Sequence, residues 1–308
     1  MLETLRVFLR NRKAALGLAI VLFYVAVAIF GPLLFTGDPV ARVGRPHTPP
    51  DPDQWLGTTR MGRDVFMQLV HGTRTSLAVG LFAGLLVVAI GTILGIAAGY
   101  FGGWIDEVIN FCTNVVLVIP QLPLLLVIAA FLGQTSPFVI AIIIGVTSWA
   151  WGARVTRAQT LTLRQRDYIQ AAELVGEPAH RMIFVELFPN LLSIIGFNFI
   201  GSVTYTIITQ ATLEFLGLGN PMAVSWGTML YNAQSASAIT VGAWWEVLAP
   251  ALALAGIGVG MSLLNFGVDE ISNPRLRTLG TIAAAQRAQE KLDKARAAGA
   301  SKVVEAAE

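Results

Sequence analysis

Charged residues are scarce in this sequence. Asp, Glu, Lys and Arg make up 13% of its 308 residues, and hydrophobic residues make up 55%. A soluble globular domain usually carries about 25% charged residues. The composition therefore excludes an ordinary soluble domain and predicts an integral membrane protein. The net charge of +2 is too small to indicate a nucleic-acid partner.

Cysteine and histidine are rare as well. The single cysteine, Cys112, excludes an internal disulfide framework and a cysteine-based metal cluster. Because free cysteines usually behave as small core residues, we expect Cys112 to be buried. The three histidines, His47, His71 and His180, are scattered along the chain. A metal site needs ligands that converge, so we predict none.

The sequence also lacks the common signatures of catalysis. No Gly-Lys dipeptide occurs, so there is no G-x-x-x-x-G-K-[ST] phosphate loop. H-E-x-x-H and G-x-S-x-G are also missing. A membrane-embedded enzyme would need converging His, Cys or carboxylate groups inside its spans, and none is evident. We therefore expect a chain that is not an enzyme, that holds no cofactor, and that depends on another protein for energy.

Long apolar runs are what the sequence does contain. A spanning helix needs about 20 mostly apolar residues. The first run follows a basic N-terminus but is too long for a signal peptide, so we interpret it as an uncleaved membrane helix. Pro120 and Pro123 predict a kink inside the third span. The sequence predicts an all-α, polytopic protein with six spans, at residues 14–36, 75–100, 104–133, 137–160, 190–217 and 245–270.

The positions of lysine and arginine orient these spans. The loops 134–136 and 218–244 contain neither residue, whereas 154–181 is basic. Since cytoplasmic loops carry the Lys/Arg excess, we predict that both termini are cytoplasmic. Five arginines in 42–74 disagree with this bias, because that segment is then expected outside the cell.

The spans divide the chain into four segments. The first predicted segment, 1–36, holds the N-terminus and first span, and 37–74 is an extracytoplasmic loop with an interfacial helix. Residues 75–277 form a core of five spans, and 278–308 form a cytoplasmic tail. An alternative for residues 65–74, whose apolar residues recur at helical spacing, is that they extend the second span.

A short charged stretch, 165–189, interrupts the apolar runs. In "QAAELVGEPAHRMIFVELFPN", small residues recur at helical spacing before a glycine suited to a helix end. Such a low face lets another protein approach the backbone, although an ordinary helix lying on the membrane has the same pattern. The stretch resembles the EAA loop of ABC-importer permeases. The resemblance assigns coupling to a partner ATPase to Gln170, Ala171, Ala172, Gly176 and Pro189.

The resemblance covers residues 55–277. "WLGTTRMGRDVFMQLVHGTRTSLAVGL" and "NFGVDEISNPRLR" are similar to the opening and close of the conserved domain in dipeptide/oligopeptide permeases. It implies the ABC type I importer permease fold in a prokaryotic cell membrane. It also implies four partners besides lipid: a second homologous permease subunit, two ATPase subunits that use ATP and Mg, and an extracytoplasmic binding protein.

The cargo is less specific than the family. The resemblance implies peptides or oligosaccharides, with nickel or another small solute as an alternative within the family. A stand-alone secondary carrier or channel is an alternative of a different class. A carrier of that kind is expected to show internal repeats with broken helices in both halves, and no convincing repeat is present.

Polar residues near the end of the fifth span are candidates for the substrate path. Ionisable groups inside a membrane are costly and indicate function by default. Glu214 lies one helical turn after Gln210, with Tyr205 and Thr209 nearby. We expect these four residues to line the path. The alternative is a helix cap or a contact with the other permease subunit.

Overall fold

The computed structural model describes residues 11–133 and 135–272, and side chains as far as residue 268. The described chain is helical, and its only extended pairings are two isolated β-bridges in the loop before the second span. The helices are α1 Arg12–Leu34, α2 Val65–Phe101, α3 Gly103–Val118, α4 Gln121–Leu132, α5 Pro137–Thr147, α6 Ala150–Arg164, α7 Asp167–Leu174, α8 Ala179–Phe215, α9 Trp226–Ser235 and α10 Trp245–Ser272.

Six membrane crossings are present when each bent helix pair is counted once. Helices α1, α2, α8 and α10 are each long and apolar enough to cross alone. The pair α3 and α4 bends by 85°, and the pair α5 and α6 bends by 40°. Pro120 lies at the first break, where the sequence predicted a kink. The side-chain amide of Gln121 donates to the hydroxyl of Ser148, so the two breaks lie side by side.

Helix α2 runs unbroken for 37 residues. The Asp64 side chain caps its first turn by accepting from the backbone N–H groups of Phe66 and Met67. Residues 65–74 therefore extend the second span and do not form a separate interfacial helix. The α2 helix crosses the whole bundle and contacts α6 and α8 along its length.

Glycines make these contacts unusually close. A Cβ placed on Gly80 or Gly84 would meet the side chain of Ile207 or Val203 on α8. Farther along α2, a Cβ on Gly95 would lie 2.7 Å from the Ala153 carbonyl oxygen of α6. Small residues allow membrane helices to pack backbone against backbone, and this spacing is of the small-xxx-small type.

The loop between α1 and α2 packs on the start of α10. The indole N–H of Trp245 donates to the Thr58 carbonyl at 3.2 Å, and both side chains are buried. The His47 ring lies 2.6 Å from the buried Glu246 carboxylate. Trp244, by contrast, is exposed. Trp245 is therefore a core residue that holds the loop, whereas Trp244 lies at the surface.

Two further predictions concerned Cys112 and the C-terminal tail. Cys112 is exposed on α3, so the prediction of a buried thiol was wrong. A small residue in an apolar run can equally well lie on the outer face of a membrane helix, where lipid or another subunit covers it. The predicted cytoplasmic tail 278–308 lies outside the described residues.

Candidate functional site

The stretch that resembles the EAA loop forms a short helix fixed to one end of the bundle, which we call the coupling end. Ile169 of α7 is fully buried and packs in a cluster with Ile96 of α2 and Leu187 and Leu191 of α8. Gly176 follows α7 with φ of +85°, a conformation that favours glycine. Its N–H donates to the Glu173 carbonyl, so the chain reverses and enters α8.

The outer face of α7 is apolar and uncovered. Leu174 and Val175 are 89% and 83% exposed, and Tyr168 is 47% exposed. Ala171 lies between them on the same face and is also exposed. Large apolar side chains exposed in a charged segment are typical of a surface that another protein or the membrane covers.

The five predicted coupling residues do not share one environment. Gln170, Ala171, Gly176 and Pro189 are exposed. Ala172 is half-buried and packs against the cluster around Ile169. The small face that the sequence suggested is therefore divided: Ala171 belongs to the free surface, and Ala172 belongs to the contact with the bundle.

Pro189 marks an irregularity at the start of α8. The turn Met182–Leu187 before it is a π-helix. Proline has no N–H to donate and its ring crowds the carbonyl four residues earlier. A wider turn relieves that crowding, and such π segments are frequent at functional sites.

The Arg164 side chain, at the end of α6, contacts both α7 and the last turn of α2. The Arg164 guanidinium lies 3.2 Å from the Glu173 carboxylate. It also lies over the Tyr100 ring, 5.6 Å from its centroid, within the range of a cation–π contact. Together with the Ile169 cluster, this contact makes α7 part of the bundle's framework.

The predicted path residues near the end of α8 are largely buried. Glu214 and Gln210 are 3% and 1% exposed, and the Gln210 amide donates to the Glu214 carboxylate at 2.9 Å. The other carboxylate oxygen accepts from the Ser225 hydroxyl at 2.5 Å. Ser225 is the N-cap of α9. This carboxylate therefore fastens α9 to α8 inside the subunit.

Thr209 and Tyr205 complete the predicted set. Thr209 is buried, whereas Tyr205 is 41% exposed. In this conformation Tyr205 alone of the four predicted residues presents much of its side chain at the surface. Its role in a path stays a prediction. For Gln210 and Glu214 the contacts correspond to the alternative in which the acid stabilises a helix end.

Two arginines in the bent span formed by α5 and α6 escaped the sequence-based prediction. Arg157 of α6 makes a two-pronged ion pair with Asp106 of α3, at 2.5 and 2.6 Å. The Arg154 guanidinium donates to the side-chain amide oxygen of Asn114 at 2.7 Å, and Arg154 is exposed. Both arginines fall inside the span predicted at 137–160. The sequence analysis counted them with the basic segment that sets the topology. Their position inside an apolar span was the signal that could have identified them as candidate functional residues.

Comparison with known proteins now decides the family. Residues 91–278 match the family described as binding-protein-dependent transport system inner membrane component. The chain belongs to this family. Residues 1–54 of the permease also match the N-terminal TM domain of oligopeptide transport permease C.

Individual relatives agree with the family match. The permease is 34% identical to the dipeptide transport system permease protein DppC of Bacillus subtilis, over 87% of this chain and 83% of that protein. It is 33% identical to the glutathione transport system permease protein GsiD of Pectobacterium atrosepticum, over 90% and 91%. It is 30% identical to the oligopeptide transport system permease protein OppC of B. subtilis, over 88% of each.

The family accounts for the architecture. The permease is a multi-pass protein of the bacterial inner membrane with the type I importer permease fold. It works as the membrane component of an ABC importer that depends on a binding protein. The orientation of its termini and the roles of individual site residues stay predictions.

Proposed function

We propose that this chain forms one half of a translocation path for peptides. A second, homologous permease subunit forms the other half, and an extracytoplasmic binding protein delivers the cargo. Two ATPase subunits bind ATP and Mg and supply the energy. The permease itself hydrolyses nothing. The exposed face of α7, fastened to α2 and α8, is the observation that carries this proposal.

The coupling role rests on the division between the two sides of α7. One side is packed on the bundle through Ile169 and Ala172. The other side exposes Leu174 and Val175. A groove on an ATPase that closes over the exposed side would bury apolar surface, and each large aliphatic side chain contributes about 1.5–3 kcal/mol when fully buried. Movement of that groove would then reach the spans through the packed side.

Peptides are the favoured cargo because of the relatives. Their names specify dipeptides, oligopeptides and glutathione. Oligosaccharides and nickel gain no support from the relatives named above. A stand-alone carrier or channel is disfavoured, since the family matched over 91–278 depends on a binding protein.

Reconstitution tests the proposal. The chain is assembled in proteoliposomes with its second permease subunit and its ATPases, and the binding protein is added outside with a labelled dipeptide or tripeptide. We expect uptake that requires ATP and the binding protein. An ATPase variant that binds but does not hydrolyse ATP serves as control. Uptake by the chain alone, driven by a proton gradient, would contradict the proposal.

A further inference from the structure

A charged side chain, Arg154, lies well inside the bent span formed by α5 and α6. Arg164, the last residue of α6, packs beside Tyr100, the second-last residue of α2. This level therefore marks the coupling end of the span. Arg154 lies ten residues earlier, which places it about 15 Å deeper along the helix. The hydrocarbon core of a bilayer is about 30 Å thick. Arg154 is therefore about half of that thickness away from the coupling end of its helix.

The partner of Arg154 lies at the same depth. Asn114 accepts the 2.7 Å hydrogen bond from Arg154. It follows Gly103, the first residue of α3 at the coupling end, by eleven residues, or about 16 Å of helix. Two helices that rise from the same end thus bring these polar side chains to one level. The breaks beside Gln121 and Ser148 lie just beyond them.

The positive charge of Arg154 is not balanced within the part of the chain that the structure describes. Arg157 is paired with Asp106, whereas Arg154 has a neutral amide as its partner and no carboxylate within 4 Å among residues 11–133 and 135–268. A guanidinium carries five N–H donors, so most of them stay free. A charge at this depth faces a water-filled cavity or an opposite charge, because lipid would solvate it poorly.

The exposed side of α6 differs from that of its partner helix α5. On α5 the exposed side chains include Phe138, Ile142 and Val146, which suit lipid or an apolar subunit contact. On α6 the residues that follow Arg154 at helical spacing are the exposed Ala158, the half-buried Leu161 and the exposed C-cap Gln165. Arg154 and Gln165 therefore place polar groups at the two ends of this side of α6.

We propose that Arg154, held by Asn114, lines the half of the path nearer the coupling end and binds the carboxylate of a passing peptide. This rests on the proposed function. The planar guanidinium fork matches a carboxylate and gives charge-assisted hydrogen bonds. In a permanent contact with the second permease subunit, this charge would instead need a carboxylate partner on that subunit.

Transport of matched peptides tests the proposal. Two tripeptides that differ only in a free or an amidated C-terminus are chosen, both shown to bind the binding protein. Arg154→Gln should lower uptake of the free-acid peptide about tenfold or more, as expected when a hydrogen bond to a charged group is lost. Uptake of the amidated peptide should change little. Arg154→Lys, which keeps the charge but loses the planar fork, should retain more uptake of the free-acid peptide than Arg154→Gln.

A labelling measurement separates this proposal from the proposed function. Arg154→Cys on a Cys112→Ala background should react with a membrane-impermeant thiol reagent applied from the coupling end of the assembled complex. An unreactive cysteine would overturn the path position, whatever the uptake results. Equal loss of both peptides in Arg154→Gln, with loss of copurification of the second permease subunit, would assign Arg154 to the subunit contact instead. Unchanged uptake of the free-acid peptide would also refute the proposal.

Discussion

The substitution Gly95→Ala should loosen the packing of α2 against α6. The added Cβ would lie 2.7 Å from the Ala153 carbonyl oxygen, 2.7 Å from the Thr156 Cβ and 3.0 Å from the Arg157 nitrogen. Carbon atoms in contact prefer about 3.5–4.0 Å. Two of the three obstacles are backbone atoms, so no side-chain rotation relieves the clash and α6 itself must shift. Overpacking of this kind typically costs about 1–3 kcal/mol.

Gly152→Ala is a matched control on the facing helix. A Cβ at Gly152 would have no neighbour within 4 Å among the described residues. Both changes replace a helical glycine by alanine, so both gain similar helix propensity, up to about 1 kcal/mol. The difference between them therefore isolates the clash, and we expect Gly95→Ala to be less stable by about 1–3 kcal/mol.

Thermal unfolding of the two purified variants in one detergent, assembled with their partner subunits, measures this difference. We expect Gly152→Ala to melt at or above the wild-type temperature and Gly95→Ala to melt several degrees below it. Uptake should fall in parallel for Gly95→Ala. Equal melting temperatures for the two variants would refute the close backbone approach at Gly95 and the reasoning built on it.

Three further predictions concern other parts of the permease. Ala171→Arg should leave the protein folded but reduce both copurification of the ATPases and substrate-stimulated ATP hydrolysis. The reason is that a charged side chain on the exposed face of α7 would prevent an ATPase groove from closing over it. Wild-type levels of both quantities would contradict the coupling role. Glu214→Ala should lower the melting temperature, because the buried Ser225 hydroxyl would lose its hydrogen-bond partner, at a cost of about 1–3 kcal/mol of stability. Altered uptake at an unchanged melting temperature would instead favour a path role for Glu214. Cysteine at Ser235 on a Cys112→Ala background should be labelled from outside the cell, and labelling only from the cytoplasm would reverse the predicted topology.

The crossings were predictable because the bilayer imposes a length of apolar chain that few other structures need. The break at Pro120 was predictable too, since proline removes a hydrogen bond within the helix. The break at Ser148 was not. That stretch contains no proline, and the contact of Ser148 with Gln121 joins residues 27 positions apart. A tertiary contact of this kind leaves no periodic signal in the sequence.

The site was predictable in outline and less so in detail. Small residues at helical spacing, followed by a glycine, located α7. The small residues at 171 and 172 gave no indication of which one faces outward. At Glu214 the sequence showed a costly carboxylate in a span, yet its partner Ser225 lies in a different helix. A buried acid bonded inside the subunit and an acid lining a path have the same local sequence. The packing of the helices around them decides between the two.

The length of α2 gives its fixed contacts a mechanical meaning. Its 37 residues extend about 55 Å, well beyond the thickness of the hydrocarbon core. At one end it packs against Arg164 and the Ile169 cluster. At the other end it continues directly from the loop that is hydrogen-bonded to Trp245. A rigid rod of this length that tilts by about 5° at the coupling end displaces its far end by about 5 Å. Under the proposed coupling role, a small push on α7 would therefore be amplified by lever geometry before it reached the opposite surface.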